Sequence, residues 1–167
     1  SNEPEYIKPQ SSEKHEELRD MVRRRYDFIE DVSREKKRAK QATTDKSKDF
    51  IKRHIAYLEK EIEIIEIEVE QLINGNQEWD KKRKLLLSIP GIGTTSAAAL
   101  ISEMIELGSI ENKQAASLLG VAPRTNQSGN YVGTATISGG RFMIRRIIYM
   151  CALSASHTKG KFGQYYQ

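Results

Sequence analysis

The chain has one cysteine, Cys151, so no intramolecular disulfide can hold it together. That residue sits in RRIIYMCALSAS among core-type neighbours, which makes packing its expected role, ahead of nucleophilic chemistry. His15, His54 and His157 are scattered without ligand spacing, so no metal site is expected. No uninterrupted apolar run approaches the roughly 20 residues that span a bilayer, and the opening residues carry no signal-peptide pattern. No membrane partner is therefore expected, and the cytoplasm is the default location.

What is present is charge and helical period. With 38% hydrophobic and 30% charged residues over 167 positions, the chain can bury one modest core and carry an appendage beside it. The formal charge is +4 and the isoelectric point about 9.1, but the acidic residues crowd between Lys60 and Glu70. The C-terminal part is left more basic, which suits a polyanionic partner. An ordinary solvated surface would look the same.

Residues 1–12, SNEPEYIKPQSS, are polar and aperiodic and read as a linker or cloning scar. Residues 13–76 read as a coiled-coil arm. From Lys14 to about Ala39, residues Leu18, Met21, Val22, Phe28, Ile29 and Val32 fall on one helical face. QATTDKSK interrupts, with Thr44 or Asp45 suited to cap the next helix. There Ile51, Ile55, Leu58, Ile62, Ile65, Val69 and Leu72 alternate steps of four and three, the spacing of a heptad seam. It stops at NGN, where Gly75 suits the left-handed position after a helix. An antiparallel hairpin or a coiled coil between chains buries this seam equally well, and a homo-oligomer through it is expected. Ile64 and Ile67 lie off the seam, so this helix should meet a further neighbour. Spacing or dimerisation, rather than chemistry, is the arm's plain role.

Residues 77–167 read as a compact helical domain. QEWDKKRKLLLSI offers Trp79 and Leu86 to a core, and TTSAAALISEMIEL is a helix whose small residues let it approach a neighbour closely. IENKQAASLLG fits a short helix with Ser109 as its cap and Gly120 past its end. VAPRTNQSGNYVGTATISGG lacks helical period, and its β-branched residues between Tyr131 and Ile137 suit a short β-hairpin. A last helix from Arg141 to Ala155 carries Met143, Ile144, Ile147, Ile148 and Met150 inward. The expected fold is all-α, a long coiled-coil helical hairpin followed by this domain.

Two stretches carry chemistry. In LLLSIPGIGTTSAAALISEM, two helices flank an apolar-Pro-Gly-apolar-Gly turn, the helix-hairpin-helix pattern. Its glycines permit positive φ and close approach of a ligand to the backbone. Amides of Gly91, Ile92 and Gly93 at the start of the second helix would then grip a phosphate whatever its base. A plain tight turn between packed helices competes with that reading. The second stretch is APRTNQSGNYVG followed by SGGRFMIRR. Ser128, between Arg124 on one side and Arg141, Arg145 and Arg146 on the other, suits phosphoryl transfer, in which arginines stabilise charge on a phosphate under attack. The arginines of the last helix lie about one turn apart and would meet a phosphate jointly. Read plainly, Ser128 is a turn residue, and Gly139 and Gly140 lead into the last helix.

In order, LLSIPGIGTTSAAALISEM, ENKQAASLLGVAPRTNQSG and ISGGRFMIRRIIYMCALSA resemble the C-terminal domain of bacterial insertion-sequence transposases of the IS-one-ten type, relatives of the Piv DNA invertase. The likeness runs from about Lys84 to Tyr166. It implies a serine nucleophile at Ser128, with Gly120, Ala122 and Pro123 in the loop before it and Gly140 and Arg145 in the final motif. It also implies DNA as partner, a structured guide RNA, and a RuvC-like N-terminal domain whose acidic residues hold magnesium. No strand region of RuvC type is legible here, so the chain is expected to be a C-terminal fragment, without a cofactor of its own and inactive alone. Departures from the pattern are Gly139 in place of a basic residue, Val121 and Ile144. Two rivals stand beside this reading: a non-catalytic helix-hairpin-helix module that binds DNA, and a structural protein dimerised by its coiled coil.

Overall fold

A computed structural model describes residues 12–124, 127–128, 131–132, 136–137, 139–158 and 161–164, without the side chains of 123–138, 161 and 162. The segment read as a linker therefore lies, except for Ser12, outside the described residues. The described residues divide into two units, one up to Lys81 and one from Lys82 on.

The first unit is a helical hairpin. Helix α1, Glu13–Gln41, begins at Ser12, whose side chain accepts from the His15 amide, and carries Glu13 and Glu16 in its first turn and Arg38 and Lys40 in its last. These charges complement the helix dipole. Only residues 42–44 separate it from α2, Asp45–Asn74, and Thr44 caps that helix by accepting from the Ser47 amide. So short a connection returns the second helix antiparallel to the first. Cross-helix pairs agree: Lys36 donates to Glu59 at 3.0 Å, and further from the turn Arg25 donates to Glu66 at 2.7 Å. The core between the helices holds Phe28, Val32 and Leu58 with Ile55, Ile62 and Ile65. Of the two ways to bury the heptad seam, the structure takes the hairpin within one chain. Ile64 and Ile67 stay exposed.

Helix α2 does not end in a left-handed turn as its NGN sequence suggests. Gly75 has φ −73°, in the right-handed region. The reason is Asn76, whose side-chain oxygen accepts from the amides of Glu78 and Trp79 at 3.0 and 3.1 Å and starts α3, Gln77–Leu87, at once. Trp79 is buried and meets the His15 ring edge-on at 5.7 Å.

In the second unit α4, Thr94–Glu103, packs on α6, Phe142–Ser156, which also touches α5, Asn112–Leu119, and α7, Lys161–Gln164. From Ala97 to Ser102 every residue of α4 is buried, which small side chains allow because helix axes can close on one another. Helix α6 presents Ile144, Ile147, Cys151 and Ala155 inward, at helical spacing. Cys151 is thus a buried free thiol, but Met150, expected inside, is 55% exposed. The seven-residue step from Ile144 to Cys151 sets the buried stripe and leaves Met150 beside it. Ser109 does not cap α5 either. Its hydroxyl donates to the Glu106 carbonyl at 2.7 Å, and the cap is Glu111, whose amide donates to the Gln114 side chain.

Among the described residues, four two-residue strands accompany the helices. Strand β1, Pro123–Arg124, pairs antiparallel with β4, Thr136–Ile137, and β2, Gln127–Ser128, pairs with β3, Tyr131–Val132. The fold is all-α with this one strand-bearing excursion, and no described helix is long and apolar enough to cross a membrane.

Leu58, 4% exposed at the centre of the hairpin core, gives a direct check on that packing. Leu58→Ala should cost about 2–5 kcal/mol by removing buried methyl groups and leaving a cavity, measured by urea unfolding followed by helical circular dichroism. A loss below about 0.5 kcal/mol, as at a surface position, would show that the hairpin core is not where the arm's stability lies.

Candidate functional site

The Pro-Gly-Ile-Gly turn is built by a bond from the Ile92 amide to the Ile89 carbonyl at 3.1 Å, after α3 closes with Ser88 and Ile89 bonded to Leu85 and Leu86. Gly91 has φ +88°, a left-handed conformation that side chains resist. A Cβ there would stand 2.9 Å from the Ala155 nitrogen and closer still to the Cys151 carbonyl oxygen. The close approach that Gly91 permits is therefore to the backbone of α6. Gly93 differs: φ is −95°, nothing lies within 4 Å of where its Cβ would be, and it forms the exposed N-cap of α4 with no side-chain hydrogen bond. Of the three residues read as a phosphate grip, Gly91 is turned inward, Ile92 is half-buried, and Gly93 faces outward.

The strand-bearing segment that carries Ser128 leaves α5 at Gly120 and returns to α6 through Gly139 and Gly140. Those two ends meet backbone on backbone. Gly120 at φ +68° would place a Cβ 2.9 Å from the Gly139 carbonyl carbon, and Gly140 at φ +69° would place one 2.7 Å from the Leu119 carbonyl carbon. The Arg145 guanidinium bridges the junction, donating to the carbonyl oxygens of Gly120 and Gly139. The Arg141 amide adds a bond of 3.0 Å to the Leu118 carbonyl.

Arg141 fixes the same junction to the turn after α4. Its guanidinium donates in a two-pronged bond to the Glu106 carboxylate at 2.9 and 2.6 Å and reaches the Glu103 carbonyl oxygen as well. Glu106 is only 1% exposed, and a buried carboxylate needs such a partner to stay charged. Glu106 was not among the sequence candidates. The signal available was a lone acid in the apolar run MIEL, which cannot be buried without a cation.

The structure thus separates the arginines that the sequence grouped. Arg141 is committed to Glu106, Arg145 to the loop carbonyls and to the Phe142 ring, 5.6 Å from its centroid, while Arg146 is exposed. The backbone of Arg124 lies in β1 near the junction, opposite Thr136, and that of Ser128 in β2 opposite Tyr131, the last pair before Gly129 and Asn130. The two ladders differ in register by one residue, since 123 pairs with 137 but 127 with 132. The side chains of Arg124 and Ser128 are outside the described residues. Among the described residues no three of His, Cys, Asp and Glu converge as a metal site.

Two substitutions separate the roles of the glycines. Gly91→Ala should destabilise the second unit by at least about 2 kcal/mol, because left-handed backbone costs a side chain about 1–2 kcal/mol and the methyl displaces α6 as well. Gly93→Ala should change stability by less than about 0.5 kcal/mol. Equal effects of the two in thermal unfolding would contradict this geometry. At the Arg141 pair, Glu106→Gln should cost about 3–5 kcal/mol, the effect of leaving a buried charge without its partner, and a neutral result by the same assay would show that water already solvates the guanidinium.

Residues 83–167 match the profile of the transposase IS116/IS110/IS902 family. No curated protein shows a significant match to the chain. The matched stretch takes in the Pro-Gly-Ile-Gly turn, the strand-bearing segment with Ser128 and the Gly120 to Gly140 junction. With that family's pattern over just over half of its length, the chain belongs to the transposase IS116/IS110/IS902 family.

Proposed function

We propose that this chain is the part of a DNA transposase that holds nucleic-acid backbone and supplies Ser128 as a nucleophile, in a composite site completed by a RuvC-like domain. The observation that carries the reading is the family match over the segment in which Ser128 lies. The antiparallel backbone of that segment and its closure at the Gly120 and Gly140 junction support it, because a nucleophile needs a defined position relative to the phosphate. In the reaction the Ser128 oxygen bonds to phosphorus, the bond from phosphorus to a sugar oxygen breaks, and the serine proton ends on that leaving oxygen. The energy of the phosphodiester is kept in the serine ester, so the strand can be rejoined to another. Arg124 and Arg146 are assigned here to neutralise phosphate charge, while Arg141 and Arg145 hold the fold at the junction.

The grip on backbone narrows to Gly93 and the first turn of α4, where the helix dipole favours an anion. DNA is the main partner, a structured guide RNA and a second copy of the chain are further ones, and the cytoplasm is where they meet. Magnesium belongs to the RuvC-like domain of the parent, where it would stabilise charge on the attacked phosphate. The described residues of this chain offer no set of ligands for it.

The chain should bind duplex DNA, measured by fluorescence anisotropy, with an affinity that falls as salt rises at a slope of about −0.9 per phosphate contacted. Ser128→Ala should leave that slope unchanged and abolish strand exchange by the full-length protein. Recombination at the normal rate by that variant would end the nucleophile assignment, and salt-independent binding would end the phosphate grip.

A further inference from the structure

Helix α6 buries one stripe, Ile144, Ile147, Cys151 and Ala155, and leaves another face open. On the open face Phe142 is 70% exposed and Tyr149 65%, with Met150 beside them at 55%. The exposed Arg146 stands between the two rings. Positions 142, 146 and 149 follow steps of four and three, so they share one side of the helix. Exposed apolar patches of this kind mark binding surfaces. Rings interleaved with a guanidinium are more specific than plain apolar surface, because a ring stacks on another flat ring and a guanidinium pairs with phosphate.

Charge selects a polyanion for this face. From Asn112 to Gln167 the sequence holds no aspartate or glutamate, against three lysines and four arginines. Helices α5 and α7, which touch α6, each carry a lysine and no acid, and α4 carries one acid, Glu103, in its last position. Glu106, in the turn after α4, is buried against Arg141. Stacking then selects unpaired bases, since every base inside a duplex already has neighbours on both faces. Phe142 and Tyr149 are seven residues, about 10 Å, apart along the helix, well beyond the ~3.4 Å step of a duplex strand. Two bases reach both rings only from an unstacked strand.

We infer that the outer face of α6 stacks unpaired bases of a DNA strand, one on Phe142 and one on Tyr149, with Arg146 on the phosphate between them. The inference rests on the reading above that the chain holds DNA and joins one strand to Ser128. A strand cut and awaiting a new neighbour has lost pairing at its end, and stacking restrains its bases whatever their identity. The face begins where the Ser128 segment ends, since Phe142 opens α6 two residues after Gly140. Phe142 also carries the Arg145 guanidinium 5.6 Å from its ring centroid, so Tyr149, two turns further along, is the cleaner position to test.

The test is anisotropy of the whole chain with labelled oligothymidine, a duplex of the same length, and oligouridine. Tyr149→Ala and Phe142→Ala should each weaken oligothymidine binding by at least about fivefold, the low end of what one stacked base contributes, and change duplex affinity by less than about twofold. Helical circular dichroism should stay unchanged, since both rings are exposed. Tyr149→Phe keeps the ring and should bind as the wild type does. Oligothymidine binding that survives both alanine substitutions overturns this surface and leaves the phosphate grip standing. Equal losses on duplex and single strand overturn it too, because such a contact needs no free base. Tighter binding of oligouridine that depends on Tyr149 overturns the assignment to DNA. A chain that binds neither form of DNA overturns the surface together with the DNA-holding reading.

Discussion

Backbone packed directly on backbone, Gly120 against Gly139 and Gly140, is the constraint on which the second unit depends. Only residues without Cβ can close that distance, and both sides also adopt positive φ, so sterics and conformation demand the same residue type. The contact brings the two ends of the strand-bearing segment together at the start of α6. Arg145 then follows as a consequence: carbonyl oxygens crowded at the junction need donors, and its guanidinium supplies them, while Arg141 adds its amide there and turns its guanidinium to Glu106. Glu106 is buried because Arg141 is there to pair with it. The junction thus gathers two arginines of α6 and an acid from the turn after α4.

The arm obeys a simpler physics. Its seam is apolar, its connection is short and its cross-helix charges are opposite, so the helices close on one another without any special backbone. Most of the stabilisation of such a hairpin comes from burial along the seam, with the exposed ion pairs adding little. The exposed residues Phe50, Tyr57, Ile64 and Ile67 of α2 have no part in that closure.

Family membership and local geometry converge on the same segment from different directions. The match over residues 83–167 places the chain in the transposase IS116/IS110/IS902 family; the junction explains why a glycine precedes the last helix and why an arginine follows it by five positions. These residues serve position. On α6, Arg146 is exposed.

Much of this was legible in the sequence. Apolar spacing located every long helix, the interruption at QATTDKSK located the hairpin turn with Thr44 or Asp45 as cap, of which the structure takes Thr44, and the motifs in order pointed to the family. These features are local, governed by spacing along a helix and by the preferences of capping residues, and so they survive without tertiary context. What the sequence left open were relations between distant segments. It could not say that Gly91 faces α6 where Gly93 faces solvent, that Arg141 pairs with Glu106 across 35 positions, or that Met150 points outward. A glycine permits a close approach without naming what approaches, and an arginine offers the same charge to a phosphate or to a carboxylate. Only the packed structure chooses among partners, because burial makes an unpaired charge costly and leaves room for just one.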